Sequence, residues 1–390
     1  MKRVNVQLST YTADVSGVCS ALYELGGMTV IHDPSGCNST YNTHDEPRWY
    51  DRDSLVFISG LSQLDAVMGN DEKLIEDIVH AASYLHPGFI SLVRTPVPLM
   101  TGTDFEGIAG EISARIGIPT FAFPTTGMES YISGVDMAFT TVARHLVPAP
   151  EEGAAGKKKR PGRKYINLLG VTPLDFSVNS TLSSMRRFFR EKGYEVLTSL
   201  GMDMKDTDLA DMPFADLNLA VSSGGIGAAK ALYRRFGTPW MAGMPAGAAG
   251  EELTARMKAC LEEGISLSEE GCPEEKSMEE RQAAGEEDRV IIGEPVISAS
   301  IARAMEASRG VRPSVICPFS IPHSIPGINY DILSSEEELK DRLAGVKEVT
   351  ADPIYRAVCP EGADFISLPH EAFSGRIYRR EIPDLLHFAD

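Results

Sequence analysis

The chain has 390 residues, 43% of them hydrophobic, enough for two or three domains of ordinary size. Its net charge of −18 argues against nucleic acid as a partner, because phosphate backbones are bound by clustered Lys and Arg. The start, MKRVNVQLST, has no apolar leader core, and no stretch approaches the ~18 apolar residues of a membrane span, so a cytoplasmic protein with no membrane partner is expected.

In chain order, SGVCSALYELGG (16–27) has a helical pattern and closes on a glycine pair, as a C-cap does. An apolar run then leads into His32, Asp33 and Pro34, followed by Gly36-Cys37 and the polar stretch NSTYNTHDEPRWYD (38–51). SLVFIS (54–59) reads as a strand, DEKLIEDIVHAASYL (71–85) as an amphipathic helix and GFISLVRT (88–95) as a strand. DFEGIAGEISARIG (104–117) follows as a helix and IPTFAFPT (118–125) as a strand. PAPEEGAAGKKKRPGRK (148–164) has no apolar period and reads as a linker.

A second block alternates in the same way: KYINLLGVT, the helix NSTLSSMRRFFREKG, YEVLTSL, DLNLAVSS, the helix IGAAKALYRRFG, and TPWMAGMP. The acidic stretch 268–289 is a second linker or a solvated helix, and Cys272 inside it is incidental. The third block runs from RVIIGE through PVISASIARAMEASRG to VRPSVICP. Buried strands between helices of this length mark parallel sheets, whose loops at the strands' carboxyl ends bind ligands. The expected organisation is α/β: a first domain over 1–147, a second over 165–267 and a third over 290–390. SSGGIG (222–227) follows a strand but lacks the dinucleotide-binding spacing, and no phosphate-loop lysine motif is present, so a tightly held nucleotide is not indicated.

Candidate site residues concentrate after the first strand. The six cysteines (19, 37, 260, 272, 317, 359) form no C-x-x-C pair, and a small buried hydrophobe is the ordinary role of each. The stretch around His44 admits three readings. One is a surface loop in which Arg48 pairs with Asp45 or Glu46 at little energetic gain. Another is a site wall in which His44 transfers protons beside two carboxylates. The third is a subunit contact anchored by Tyr41, Arg48 and Trp49. His370 reads as a helix-start histidine or a proton donor, with Arg376 suited to an anionic ligand. His323, in the rigid loop CPFSIPHSIPGIN (317–329), is within reach of a cleft.

Taken together, the motifs His32-Asp33-Pro34-Ser35-Gly36-Cys37, LSQLDAVMGNDEKL (61–74), NLLGVTP, DLNLAVSSGGIGAAKALYRRFGTPW, GEPVISASIARAM (293–305) and LPHEAFSGRIY (368–378) resemble the nitrogenase component 1 family. That family includes the molybdenum-iron protein subunits, their cofactor-assembly scaffolds and the dark-operative protochlorophyllide reductase. The resemblance implies three Rossmann-like parallel-sheet domains around a central cleft, in a homodimer or with a paralogous subunit. It also implies an iron–sulfur cluster near the subunit boundary, fed by an ATP-dependent iron–sulfur reductase.

The sequence departs from the family's ligand set. Cys37 matches the second of three first-domain cysteines, Cys19 is displaced from the first, and the segment of the third, LVRTPVPLMTGTD, has none. A cubane takes four protein thiolates. Cys19 and Cys37 from each of two subunits would supply a shared [4Fe-4S] cluster. His370 lies where the catalytic subunit's cofactor histidine falls, but WMAGMPAGAAGEEL offers no cysteine partner, and Cys260 reads as core, so nitrogen fixation is not expected. The resemblance therefore implies an oxidoreductase subunit passing low-potential electrons to a small or tetrapyrrole-like substrate. The alternative is a metallocluster or precursor scaffold without turnover.

Overall fold

Three sets of short buried strands, each strand handing over to a helix, close into three separate parallel sheets. The computed structural model describes residues 6–36, 38, 41, 45–150, 162–263 and 288–389. The first sheet holds β1 (Met28–His32), β2 (Leu55–Ile58), β3 (Ile90–Arg94) and β4 (Thr120–Phe123), in the order β2-β1-β3-β4. With it go helices α1 (Asp14–Leu22), α2 (Gln63–Met68), α3 (Asp71–Leu85), α4 (Pro96–Thr101), α5 (Phe105–Ile116) and α6 (Tyr131–Thr141). The second sheet, in the order β6-β5-β7-β8, comprises β5 (Lys164–Leu169), β6 (Tyr194–Leu200), β7 (Leu217–Ala220) and β8 (Trp240–Ala242). Its helices are α7 (Pro173–Phe176), α8 (Thr181–Glu191), α9 (Ile226–Phe236) and α10 (Ala249–Glu263).

The third sheet has the order β11-β10-β9-β12-β13, built from β9 (Arg289–Ile292), β10 (Ser314–Cys317), β11 (Asp331–Ile332), β12 (Glu348–Ala351) and β13 (Asp364–Ser367). Helices α11 (Pro295–Arg309), α12 (Glu336–Leu343) and the single turn α13 (Glu371–Ser374) accompany it. Local chemistry sets the boundaries. The Asp104 side chain accepts the Gly107 N–H at the start of α5, and Gly117 closes that helix in the left-handed conformation. Glu294 caps α11 in the same manner, with Pro295 in its first turn and Gly310 at its end.

In each sheet the strand order reverses once, between β1 and β3, between β5 and β7, and between β9 and β12. Ligand crevices in such sheets open outside the carboxyl ends at the reversal. Here the second and third reversals face one another. The Ser223 N–H, just past β7, donates to Glu294 Oε1, just past β9, at 2.7 Å.

Helix α6 joins the domains, and no periodic pattern announced it. Seven of its eleven residues are buried, so it lacks the polar face that marks a surface helix. It packs on α1 and α9 at distances that only glycine permits. A Cβ on Gly17 would lie 2.1 Å from the Tyr131 carbonyl oxygen, one on Gly134 2.0 Å from that of Asp14, and one on Gly227 2.1 Å from Thr140 Oγ1. The domains also exchange chain ends. The Val6, Gln7 and Leu8 N–H groups donate to Glu336 in the third domain, while Asp384 accepts from Ser180 and Ser184 in the second. The last residues of the expected third domain thus finish on the second.

The same substitution should have opposite effects at two glycines. Gly134→Ala forces α1 and α6 apart and should cost about 1–3 kcal/mol. Gly110→Ala, at an exposed α5 position with open space around it, should stabilise by about 0.5–1 kcal/mol. Thermal and denaturant unfolding of both variants measures the difference.

Candidate functional site

Where the three domains meet, four polar side chains from different elements converge. Tyr131 opens α6, Asp175 lies in α7, Glu294 caps α11 and His370 caps α13. The Tyr131 hydroxyl donates to Asp175 Oδ1 at 2.5 Å, and His370 Nε2 lies 3.5 Å from the same oxygen. His370 Nδ1 accepts the Ala372 N–H at 3.2 Å, which puts the proton of the neutral ring on Nε2, facing Asp175. Asp175 Oδ2, His370 Nε2, Thr172 Oγ1 and Ser223 Oγ are buried without a hydrogen-bond partner. Burial, and then the nearby Asp175 charge, push the Glu294 carboxyl up to about 7. The same two causes, in the same order, raise the Tyr131 phenol well above its ordinary value.

Aromatic rings fill the space beside this group. His370 stacks on Phe373 with centroids 4.3 Å apart, and Phe319 meets both Tyr131 and Phe373 edge-on at 5.7 Å. The cavity left beside His370, Asp175 and Glu294 is about 10 Å³, the room of one water.

The polar stretch after β1 does not behave as a surface loop where it is described. Arg48 is 3% exposed and donates to six acceptor atoms on four residues, Ser20 Oγ at 3.2 Å among them. Its Nε donates to Glu46 Oε1 at 2.7 Å and its Nη2 to Glu46 Oε2 at 3.1 Å. Nη1 reaches Glu24 Oε1 at 3.0 Å and the Gly201 carbonyl at 2.8 Å, and Nη2 also reaches the Ser20 carbonyl at 2.7 Å. Burial opposes the guanidinium charge, but Glu46 and Glu24 overcome it and hold the pKa above its ordinary value. The surface reading fails because Arg48 is an interior tie between the first and second domains. Cys37 and His44 lie outside the described residues. His32 donates or accepts through Nδ1 with Ser59 Oγ at 2.8 Å, and burial lowers its pKa, so it serves as a structural end to β1.

A larger cavity of about 210 Å³ opens next to this knot. Thr12, Ser16, Tyr41, Asp45 and Glu46 line it from the first domain, Leu174 from the second, and Glu371 and Arg376 from the third. Glu46 is taken up by Arg48 and Glu371 by Arg379, at 2.9 and 3.0 Å, whereas exposed Arg376 has no ion-pair partner among the described residues. His323 reaches a separate cleft, where its Nε2 lies 3.1 Å from Asp136 Oδ2.

A family model described as nitrogenase component 1 type oxidoreductase matches residues 17–324. The chain belongs to this family. It is 27% identical to the nitrogenase iron-molybdenum cofactor biosynthesis protein NifE of Klebsiella pneumoniae over 55% of this chain and 48% of that protein. It is 28% identical to the nitrogenase molybdenum-iron protein alpha chain of Clostridium pasteurianum over 54% of this chain and 40% of that one. It is 24% identical to a subunit of the light-independent protochlorophyllide reductase of Nostoc punctiforme over 46% of this chain and 36% of that one. The matches thus span less than half the length of these relatives. The solved structure titled "Nitrogenase Cp1 at pH 5" superposes with a TM-score of 0.65 at 17% identity, covering 100% of this chain and 88% of that one, which shows a shared fold.

Against the family's metal positions, the described residues do not fit. A metallocluster bound through His370 has no room in about 10 Å³ walled by Phe373 and Tyr131. Cys19, expected as a ligand of a shared cluster, is fully buried on α1 inside the core. Burial, and then the Glu46 charge, raise its thiol pKa, so it is a protonated packing group that presents no sulfur to a neighbouring subunit. Cys260 and Cys317 are likewise core residues, and no three metal-ligating side chains converge among the described residues. No helix among the described residues is long and apolar enough to cross a membrane. The buried quartet was missed in sequence because Tyr131, Asp175 and Glu294 belong to no shared motif and are far apart in the chain.

Glu294 holds its proton more tightly folded than unfolded, so the stability this contributes is complete below the usual glutamate range and is lost as pH rises through about 7. Unfolding of the native chain between pH 5 and 8 should show this decline, and Glu294→Gln should flatten it; equal slopes would refute the assignment. Arg48→Met strands Glu46 in the interior, leaves Glu24 with Arg52 alone, and should cost about 3–5 kcal/mol. Lys258→Ala, which removes an exposed pair with Glu262 one turn along α10, should cost at most about 1 kcal/mol.

Proposed function

We propose that this chain is the substrate-binding subunit of a nitrogenase component 1-like reductase, and that its substrate is a small anionic molecule held in the cavity at Arg376. One observation carries this reading. The cavity draws its walls from all three domains and lies against Tyr41, Asp45 and Glu46, which follow Cys37 closely in the sequence. Arg376 supplies a guanidinium without a competing carboxylate partner among the described residues, suited to a carboxylate or similar anion. Pockets that enclose drug-sized ligands run to about 300–1,000 Å³. A volume of 210 Å³ therefore favours a small unsaturated acid over the tetrapyrrole-like alternative.

Residues of this chain would act by placement and charge: Arg376 fixes the anionic group, Thr12 offers a hydroxyl, and Asp45, with His44 just before it in the sequence, would deliver protons. An iron–sulfur cluster at the subunit boundary would supply low-potential electrons, with Cys37 as this chain's ligand and the rest from a paralogous subunit, since a second copy would add only its own Cys37. An ATP-hydrolysing iron–sulfur reductase would reload it. Likeness to relatives named as a chain or a subunit of larger assemblies supports partnership. The likeness to NifE supports a second reading, a precursor-binding scaffold without turnover, although the filled space at His370 leaves such a cluster no interior seat.

Anaerobic purification decides between them. The reductase reading expects protein-bound iron with broad visible absorbance, reducible by a partner iron protein with ATP and lost in Cys37→Ala. Iron that survives Cys37→Ala, or iron-free protein in the presence of its partner subunit, would overturn it. Arg376→Gln should raise the substrate's KM about tenfold or more, the loss of a charge-assisted contact.

A further inference from the structure

A second cleft, of about 360 Å³, lies between α6, α9 and the 317–329 loop, and shares no lining residue with the cavity at Arg376. We propose that this cleft is a binding site for a small phosphate-bearing organic anion that bridges the three domains.

Four basic side chains line it: Arg144 after α6, Lys230 and Arg234 on α9, and His323 from the third domain. Lys230 and Arg234 stand four residues apart on one face of α9, where like charges repel by a few tenths of a kcal/mol. Neither they nor Arg144 have an ion-pair partner among the described residues, although the chain carries 55 acidic residues against 37 Lys and Arg. The one acid lining the cleft is already engaged: Asp136 accepts the Gly227 N–H at 2.9 Å and faces His323 Nε2 at 3.1 Å. That contact set is itself a three-domain tie, since Asp136, Gly227 and His323 come from the first, second and third domains.

The backbone that carries the cations is fixed. Arg235, next to Arg234, donates to the Ala143 and Val147 carbonyls at 2.6 and 2.9 Å, which fixes the turn carrying Arg144 beside α9. Two guanidinium forks and an ammonium give three permanent charges, matching a dianion with several acceptor oxygens better than a single carboxylate. Ala122, Phe123, Pro124 and Met137 add an apolar part to the lining that suits a carbon body attached to that phosphate. A ligand so placed contacts groups from every domain, so its binding should stabilise the assembled fold by mass action.

The test uses the full chain and pyrophosphate as probe, by calorimetric titration and thermal shift at low ionic strength. The proposal expects saturable binding at millimolar concentration or below, with Tm rising as pyrophosphate is added. The double variant Lys230→Gln/Arg234→Gln should weaken binding by about tenfold or more, and Arg144→Gln should weaken it in the same direction. Both variants change partly or fully exposed side chains, and their unliganded Tm verifies that they fold. Arg376→Gln should leave pyrophosphate affinity within about twofold, so the fate of the reductase reading does not decide this one. Absence of binding, unchanged affinity in the double variant, or loss of binding in Arg376→Gln would overturn the site. Tighter binding of succinate than of pyrophosphate would overturn the phosphate assignment.

Discussion

Close backbone approach around one buried helix is the constraint on which the rest of this structure depends. Helix α6 can serve three domains at once because Gly17, Gly134 and Gly227 remove the side chains that would hold α1 and α9 away. Its first residues then reach outward. Ser130 donates to the Ser320 carbonyl in the third domain, and Tyr131 donates to Asp175 in the second. One turn further on, Asp136 ties Gly227 and His323 together. Both the buried quartet and the basic cleft are therefore consequences of how tightly one helix is embraced.

The chemistry at the centre is arranged by burial as much as by contact. Glu294 is set between a backbone N–H past β7 and its own helix start, close enough to Asp175 that the two carboxyls cannot both be charged cheaply. Aromatic packing around His370 leaves space for little more than a water, which turns a position associated in the family with a large cofactor into a packed junction. Arg48 performs a comparable structural task nearby. Its guanidinium neutralises two buried carboxylates and satisfies two carbonyls, so the acidic residues beside the first strand end are partly framework. Among the described residues, open volume beside this junction lies at Arg376 and at Lys230.

Family membership and fold agree with one another while the individual ligand positions do not. The match over residues 17–324 rests on sequence, and the superposition on a nitrogenase structure rests on the fold of the whole chain. Thiolate ligands are a much smaller commitment of sequence. Cys19 shows how one can be retained as an amino acid and serve another purpose: on α1 it faces inward, where an aliphatic environment keeps it protonated. Function in such a fold follows the strand-end loops, so relatives with one architecture can differ in what they bind.

Much of the architecture was legible along the chain because strands and amphipathic helices write their periods locally. The segment 71–85 is α3 residue for residue, and the alternation of the second block reappears as β5 to β8 in a parallel sheet. The family itself was legible from motif order. Helix α6 was not, since a helix buried on nearly every side carries no amphipathic signal, and β12 (EVTA) and β13 (DFIS) carry too few apolar residues to stand out. Sequence alone determined the three-block α/β plan and placed Arg376 and His323 among the residues worth following. Only the tertiary structure decided that Arg48 and Cys19 lie inside, that His370 meets Tyr131 and Asp175, and that Arg144, Lys230, Arg234 and His323 share one cleft. Burial and convergence depend on contacts between residues far apart in the chain, and no local period encodes which distant side chains will meet.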